Sequence, residues 1–358
     1  MNYEIKILRE LDSNAKKYWQ ELESKAHNYC FQNYSWFENW FTKFRSKNKK
    51  FSPCIVIVSV DSKILYIFPF EIKKTFNIKI LQWAGGRHAD YCAPILIKDF
   101  HIKKNDFLIL WKKVVNLIPD IDLIYFNKQP EFIEEIKNPF VEFLDNYEDS
   151  IVYSALLPKT WEEYTSTVLK KNFYTQNLRK ERLLKNLGDV QFNIVTNQDE
   201  KKILVGKLIQ QKNTRLKSLR INNIFGPKDL DFYSSFENYD LETMKTHLCS
   251  LTLNNELIAI HWGIIYKNRF YYLLLSMKEE NLGKYSPGRL LISSMIQWSI
   301  ENKIRVFDFT LGGEEYKKNW SNNKSGLFNH LKLNNIKGLA LYWILKVKLI
   351  VKSFKGNN

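Results

Sequence analysis

Four cysteines stand in 358 residues, Cys30, Cys54, Cys92 and Cys249, with no CxxC pair and no histidine arrangement of zinc type beside them. Spacings this wide and irregular offer neither a disulfide framework nor a metal motif. They read as reduced, buried thiols, and no metal is expected. No apolar run approaches the roughly 18 residues of a membrane-spanning helix. The opening MNYEIKILRELDSN is charged within its first few residues, so no secretion signal is read. The expectation is a cytoplasmic chain, with peripheral attachment to the inner face of the membrane left open. Acid is also scarce, 38 Asp and Glu against 54 Lys and Arg, for a net charge of +16. An enzyme of neutral metabolites has no electrostatic need for that excess. It points to an anionic partner, such as a phosphate-bearing cofactor, a nucleotide-linked substrate, tRNA, an acidic carrier protein or anionic lipid. Compositional drift in Lys/Asn/Ile-rich text is the alternative.

Apolar material is plentiful. Hydrophobic residues make up 45% of the chain, and the length exceeds that of a typical single core, so two domains of ordinary size are the natural expectation. In the first, FQNYSWFENWFTKF repeats aromatics at helical spacing after Ser35, a candidate N-cap. From Pro53 the period shortens to that of strands. CIVIVSV, ILYIFPFEI and IKILQWAGG form a meander, with a turn at Asp61 to Lys63. The loop that follows carries His88, Asp90 and Tyr91, placed as binding residues often are on a rigid scaffold, with Asp90 equally readable as the cap of a turn. A helix over Asp106 to Leu117, a strand over Asp122 to Phe126 and a helix from Pro130 through Lys137 complete a domain of residues 1–150.

The second domain, 151–338, starts at Thr160 as an N-cap. VLKKNFYTQNLRKERLLKN places Lys170, Lys171, Arg179, Lys180, Arg182 and Lys185 in one basic helix, either a phosphate contact or a solvated face. A further helix is expected over Asp229 to Tyr239. ELIAIHWGIIY and RFYYLLLSM form a hairpin that turns at Lys267 and Asn268. His261 lies in its first strand and Ser276 near the end of its second. In KYSPGRLLI, Pro287 opens a helix. Tyr285, Ser286, Gly288 and Arg289 stand where a helix N-terminus receives a pyrophosphate. IRVFDFTLGGEEYKKNW then gives a strand with Asp308 inside it. A Gly312-Gly313 turn and a polar helix start with Glu314, Tyr316 and Lys317 follow.

This order of motifs resembles the CelD-like or BioF2-like acetyltransferase branch of the GNAT superfamily, itself similar to Fem-type aminoacyltransferases. YSPGRLLI and FDFTLGGEEYKKNW carry the likeness, supported by AIHWGIIYKNRFYYLLLS, FQNYSWFENWF and LQWAGGRHADYCAPIL. Gly312-Gly313-Glu314-Glu315 departs from the commoner Gly-Asp-Glu-Pro run, which leaves the place of the acid open. The resemblance implies an α+β chain of two tandem GNAT-like domains, each a mostly antiparallel mixed sheet flanked by helices. The first would be degenerate and on the acceptor side. It also implies transfer of an acetyl or other acyl group from acetyl-CoA or another acyl-CoA to an amine or hydroxyl of a small molecule or glycan, in cell-surface polysaccharide synthesis. Asp308, Glu314 and His261 are then the candidate bases, in declining order, with Asp308 equally readable as a structural hydrogen-bond acceptor and His261 as a satisfied core histidine; Lys317 steadies a phosphate or the oxyanion. Ser276, Tyr285, Ser286, Gly288 and Arg289 hold the donor, while Asp90, Tyr91 and Tyr316 meet the acceptor. A Fem-like transferase fed by aminoacyl-tRNA or an acyl carrier protein, and a non-catalytic scaffold, are the alternatives.

The tail 339–358 is expected to be a basic amphipathic helix. From Lys324 to the end there are seven lysines and no acid. Lys348, Lys352 and Lys355 fall opposite Trp343, Val347, Ile350 and Phe354, which suits either an anionic lipid surface or packing on the second domain.

Overall fold

The structure, a computed structural model, describes residues 2–222, 224–236, 244–278, 282–312 and 314–356, with side chains as far as 352. Residues 237–243, the end of the helix expected to reach Tyr239, and Gly313 lie outside the described residues, as do the side chains of Phe354 and Lys355.

The chain divides into two compact units, Met1–Ile151 with Ser325–Asn358, and Val152–Lys324. In each, as expected, a mixed sheet is flanked by helices. The first contains β1 (Glu4–Leu8), α1 (Ser13–Glu23), β2 (Ala26–His27), α2 (Tyr34–Phe44), β3 (Phe51–Val60), β4 (Lys63–Thr75), β5 (Ile78–Trp83), β6 (Ile95–Ile97), α3 (Lys104–Leu117), β7 (Leu123–Pro130), β8 (Phe132–Ile133), β9 (Ile136–Lys137) and α4 (Pro139–Phe143). The start of β10 (Tyr147–Leu156), most of β16 (Asn323–Leu333) and the helix Leu339–Gly356, here α11, belong to it as well. β1, β3, β4 and β5 run antiparallel, β5 pairs parallel with β7, and β16 pairs antiparallel with β7. Sequence reading assigns 325–338 to the second domain. By its ladder to β7 the strand lies in the first unit, a pairing between segments about 200 residues apart that no local pattern encodes.

Hairpins set the register. Asp61-Ser62 and Phe76-Asn77 all take positive φ, the backbone of two-residue turns whose twist matches that of the strands they join. α2 packs Trp36, Phe37 and Trp40 into the core. Its cap is Asn33 rather than Ser35: the Asn33 side chain accepts from the amides of Ser35 and Trp36. The helix expected from Pro130 is instead the β8–β9 hairpin, because Pro130 closes β7 and Asn138 caps α4.

The second unit holds the end of β10, then α5 (Trp161–Thr167), α6 (Lys171–Lys185), β11 (Val190–Ile194), α7 (Gln198–Ser218), α8 (Pro227–Ser235), β12 (Met244–Leu253), β13 (Glu256–Tyr266), β14 (Arg269–Met277), α9 (Pro287–Glu301), β15 (Val306–Asp308) and α10 (Glu315–Lys318). Its strand order is β10-β15-β14-β13-β12-β11. Among its described strands only β14 and β15 run parallel, joined by the α9 crossover. Asn254-Asn255 and Lys267-Asn268 make two more positive-φ hairpin turns. One sheet face carries Cys249, Phe270, Tyr272, Phe307 and Phe309 against Leu291, Ile292, Met295 and Ile296 of α9. On the other face Trp262 packs on Tyr233 of α8.

Candidate active site

The parallel pair at the centre of the second unit comes apart. β14 meets β15 only at Arg269–Tyr271, against Val306–Asp308, yet β14 runs on to Met277. Thr310 (φ +53) turns the chain aside, and its Oγ1 donates to the Tyr272 carbonyl at 2.9 Å. On the opposite edge the β13 register slips. Trp262 faces Leu274 but Gly263 faces Tyr272, so Leu273 is an extra residue in β14. Such a bulge bends the strand and leaves backbone groups outside the ladder. A wedge therefore opens beyond Tyr271, with main-chain polar groups of β14 along one wall.

At the mouth of that wedge α9 begins. Ser286 takes φ +54, Pro287 fills the first helical position and Gly288 seats the helix on β14. A Cβ at Gly288 would stand 2.8 Å from Met277 Sδ, so a larger residue would displace that side chain from β14. Pro287 has no N–H to lose and fits the first turn, where amides lack intrahelical acceptors. Two cations gather there. Lys180 of α6 donates to Ser286 Oγ at 2.5 Å, and burial, then the charge of Arg289, lowers its pKa. The Arg289 guanidinium lies 5.2 Å from the Phe173 ring centroid. Neither cation makes an ion pair among the described residues, so their mutual repulsion favours an anion between them.

Deeper in, Lys317 is 3% exposed; its Nζ donates to the Leu311 carbonyl at 2.8 Å and pairs with Glu314 Oε2 at 2.9 Å. Gly312 lies beneath this pair at φ +116. The half-buried Tyr316 stands beside the buried Tyr272, whose hydroxyl it approaches without a hydrogen bond of good geometry. Burial, the Tyr316 hydroxyl and the Glu314 charge hold Tyr272 well above the usual tyrosine range. Burial pushes Tyr316 up to about 12, with Glu314 adding to the rise and Tyr272 and Arg215 opposing it. Both phenols keep their protons at neutral pH.

The predicted residues thus fall into groups. Ser286, Gly288 and Arg289 meet at the α9 start, where Tyr285 closes the preceding turn; Glu314, Tyr316 and Lys317 meet near the wedge. Asp308 is committed elsewhere. It points away from the face of Phe307 and Phe309, binds Arg269 Nη1 through Oδ2 at 2.8 Å and accepts from the Thr310 amide through Oδ1 at 2.8 Å. Ser276 donates to Gln211 Oε1 on α7 at 3.0 Å. His261 is wholly buried, stacked 4.5 Å from Tyr272. Desolvation first, with His247 and Lys212 nearby, drives its pKa far below the ordinary imidazole range. Asp90 and Tyr91 belong to the first unit, where Tyr91 is buried against Tyr29 and Phe31. Sequence reading misses Tyr272, the bulge at Leu273, Arg215 and Lys212, whose Nζ lies 3.4 Å from the Leu275 carbonyl. Lys180 is legible only as one of a basic run.

Residues 171–318 match the family model described as Acetyltransferase (GNAT) domain. No curated protein matches the chain in sequence. Among solved structures, FemX superposes with a TM-score of 0.60 at 11% identity, over 94% of this chain and 99% of that one. A conserved protein of unknown function from Bacteroides thetaiotaomicron VPI-5482 gives 0.56 at 10% identity, over 92% of this chain and 100% of its own. At these identities the likeness is one of fold.

Proposed function

We propose that the second unit is an acyltransferase that moves an acyl group from acyl-CoA to an amine or hydroxyl. The observation that carries this reading is the wedge between β14 and β15 with a cationic helix start at its mouth. An extended thioester arm fits the wedge, and its phosphates fit the α9 N-terminus with Ser286, Arg289 and Lys180. Thioesters are activated already, so positioning and oxyanion stabilisation supply most of the catalysis. In this scheme the acceptor N–H or O–H passes its proton to the Glu314 carboxylate, held by Lys317, as its lone pair attacks the thioester carbonyl. Amides of the bulged β14 receive the oxyanion. The C–S bond breaks as the tetrahedral adduct collapses, and the leaving thiolate takes the Tyr316 hydroxyl proton; solvent then reprotonates the phenolate. Pushed up to about 12, the Tyr316 phenol is protonated at neutral pH, so it has a proton to donate and cannot accept one. In the first unit the buried Tyr91 holds the loop that carries Asp90.

The acceptor class to test first is the sugar of a surface glycan. Acetyl-CoA, an acyl carrier protein and aminoacyl-tRNA are compared as donors by thermal shift, since a ligand of the native state alone raises the transition. Stabilisation by acetyl-CoA, and acylated products in cell extract by mass spectrometry, support the reading. Stabilisation by tRNA alone supports the Fem-like alternative, and none by any donor supports a scaffold. Asp90→Ala is expected to raise the acceptor KM and to leave the donor KM unchanged.

A membrane surface is proposed as the place of action. α11 buries Leu349 but exposes Trp343 (54%), Ile344 (65%), Val347 (56%) and Val351 (49%), with Lys348 among them. Lys352 is bound to Asp149 at 2.5 Å, so the free basic stripe is smaller than the sequence implies. No described helix is long and apolar enough to cross a membrane. An aromatic and aliphatic face beside lysine suits interfacial seating on anionic lipid. Trp343→Ser/Val347→Ser should abolish sedimentation with phosphatidylglycerol vesicles; equal pelleting would overturn the idea.

A further inference from the structure

The hairpin β12–β13 does what cysteine spacing alone does not reveal. In its register Cys249 faces His261 and His247 faces Gly263, which puts His247, Cys249 and His261 on one face of two adjacent strands. Their donor atoms all lie within 4.8 Å of one another, and all three residues are buried. Among the described residues, none of the four ring nitrogens makes a hydrogen bond of good geometry. The polar group beside the His247 imidazole is its own backbone. Buried polar atoms are nearly always satisfied, because each orphan forfeits its hydration. A core that needed only volume here would be filled by leucine or phenylalanine.

The surroundings are aromatic. His247 packs 4.3 Å from Trp298 and 4.9 Å from Phe270, and His261 stacks on Tyr272. Gly263 makes room for the second ring: a Cβ there would stand 2.7 Å from His261 Cε1.

We infer that His247, Cys249 and His261 bind one zinc-type ion. Sequence spacing offers no zinc-type arrangement; the hairpin brings together in space residues that are dispersed in sequence. Two imidazoles and a thiolate suit a borderline-soft cation such as Zn²⁺, and not the oxygen-seeking Mg²⁺ or Ca²⁺. Zinc bonds of about 2.0–2.3 Å set donors roughly 3.5 Å apart, so closure needs shifts of about an ångström. On binding, the Cys249 thiol gives its proton to solvent and the S–metal bond forms, with no change of oxidation state. The ion staples β12 to β13 and fixes His261 behind Tyr272. Acyl transfer by the neighbouring wedge is not needed for this inference.

A site this deep closes during folding, so the metal is supplied during expression of the full chain. Protein made in zinc medium should hold one zinc per chain by mass spectrometry. Protein made in cobalt medium should show a thiolate-to-cobalt charge-transfer band. C249S should lose that band and, in chelator competition, at least tenfold in affinity, whereas C30S/C54S/C92S keeps both. H247F, which fills the same space, serves if C249S does not fold, and should lower affinity likewise. Trace metal only, or a band that survives both C249S and H247F, would overturn the inference.

Discussion

Asp308→Ala separates an architectural acid from a catalytic one. The Asp308 side chain is 2% exposed and its partner Arg269 is 19% exposed, with Oδ2 to Nη1 at 2.8 Å. Removing the carboxylate leaves a guanidinium mostly out of water and takes the side-chain acceptor from the Thr310 amide. Breaking a buried pair from one side costs about 3–5 kcal/mol, and the exposed fraction of Arg269 places this case near the lower end. Asp308→Asn keeps an acceptor for Thr310 and should cost less, about 1–3 kcal/mol. Two compact units need not unfold together. Hydrogen exchange of peptides from Val152–Lys324, under increasing urea, therefore reads the second unit alone. Double substitution with Arg269→Met should cost clearly less than the sum of the single changes. If Asp308→Asn leaves exchange unchanged while transfer falls a hundredfold or more, Asp308 is the base and this reasoning fails.

Lys180→Met should weaken donor affinity about tenfold and flatten its salt dependence, as loss of a phosphate-facing cation requires, in calorimetric titrations with coenzyme A. Gly312→Ala forces a side chain into φ +116 and a Cβ to 2.3 Å from Glu314 Oε2. It should cost about 1–3 kcal/mol by the same exchange measurement. Tyr316 has its folded pKa raised from 10.0 to about 12. Its contribution to stability is therefore whole below pH 10 and lost as pH rises toward 12. Tyr316→Phe should make the alkaline decline of stability shallower in that window, and an unchanged decline would refute the assignment. The same variant should slow product formation most with the poorest leaving thiol.

Local chemistry made much of this legible. Alternating strands, Lys267-Asn268 as a turn and Pro287 as a helix start are short-range statements, and they stand in the structure. Ser286, Gly288 and Arg289 follow from that helix start. What escaped depends on pairing across distance. The Arg269–Asp308 bridge spans 39 residues, so the partner that would make Asp308 a structural acceptor is not visible in its own stretch. The bulge at Leu273 exists only relative to Trp262 and Gly263, and without it Tyr272 is one aromatic among many. Cys249 and His261 are 12 residues apart in sequence yet opposite in the ladder. β16 joins β7 through contacts no periodicity announces.

Hydrogen exchange with and without acetyl-CoA tests the central claim most directly. The account predicts protection of peptides spanning Leu273–Met277 and Tyr285–Leu290, reduced in the Lys180→Met protein. Protection confined to the first unit, or none at saturating acetyl-CoA, would contradict it.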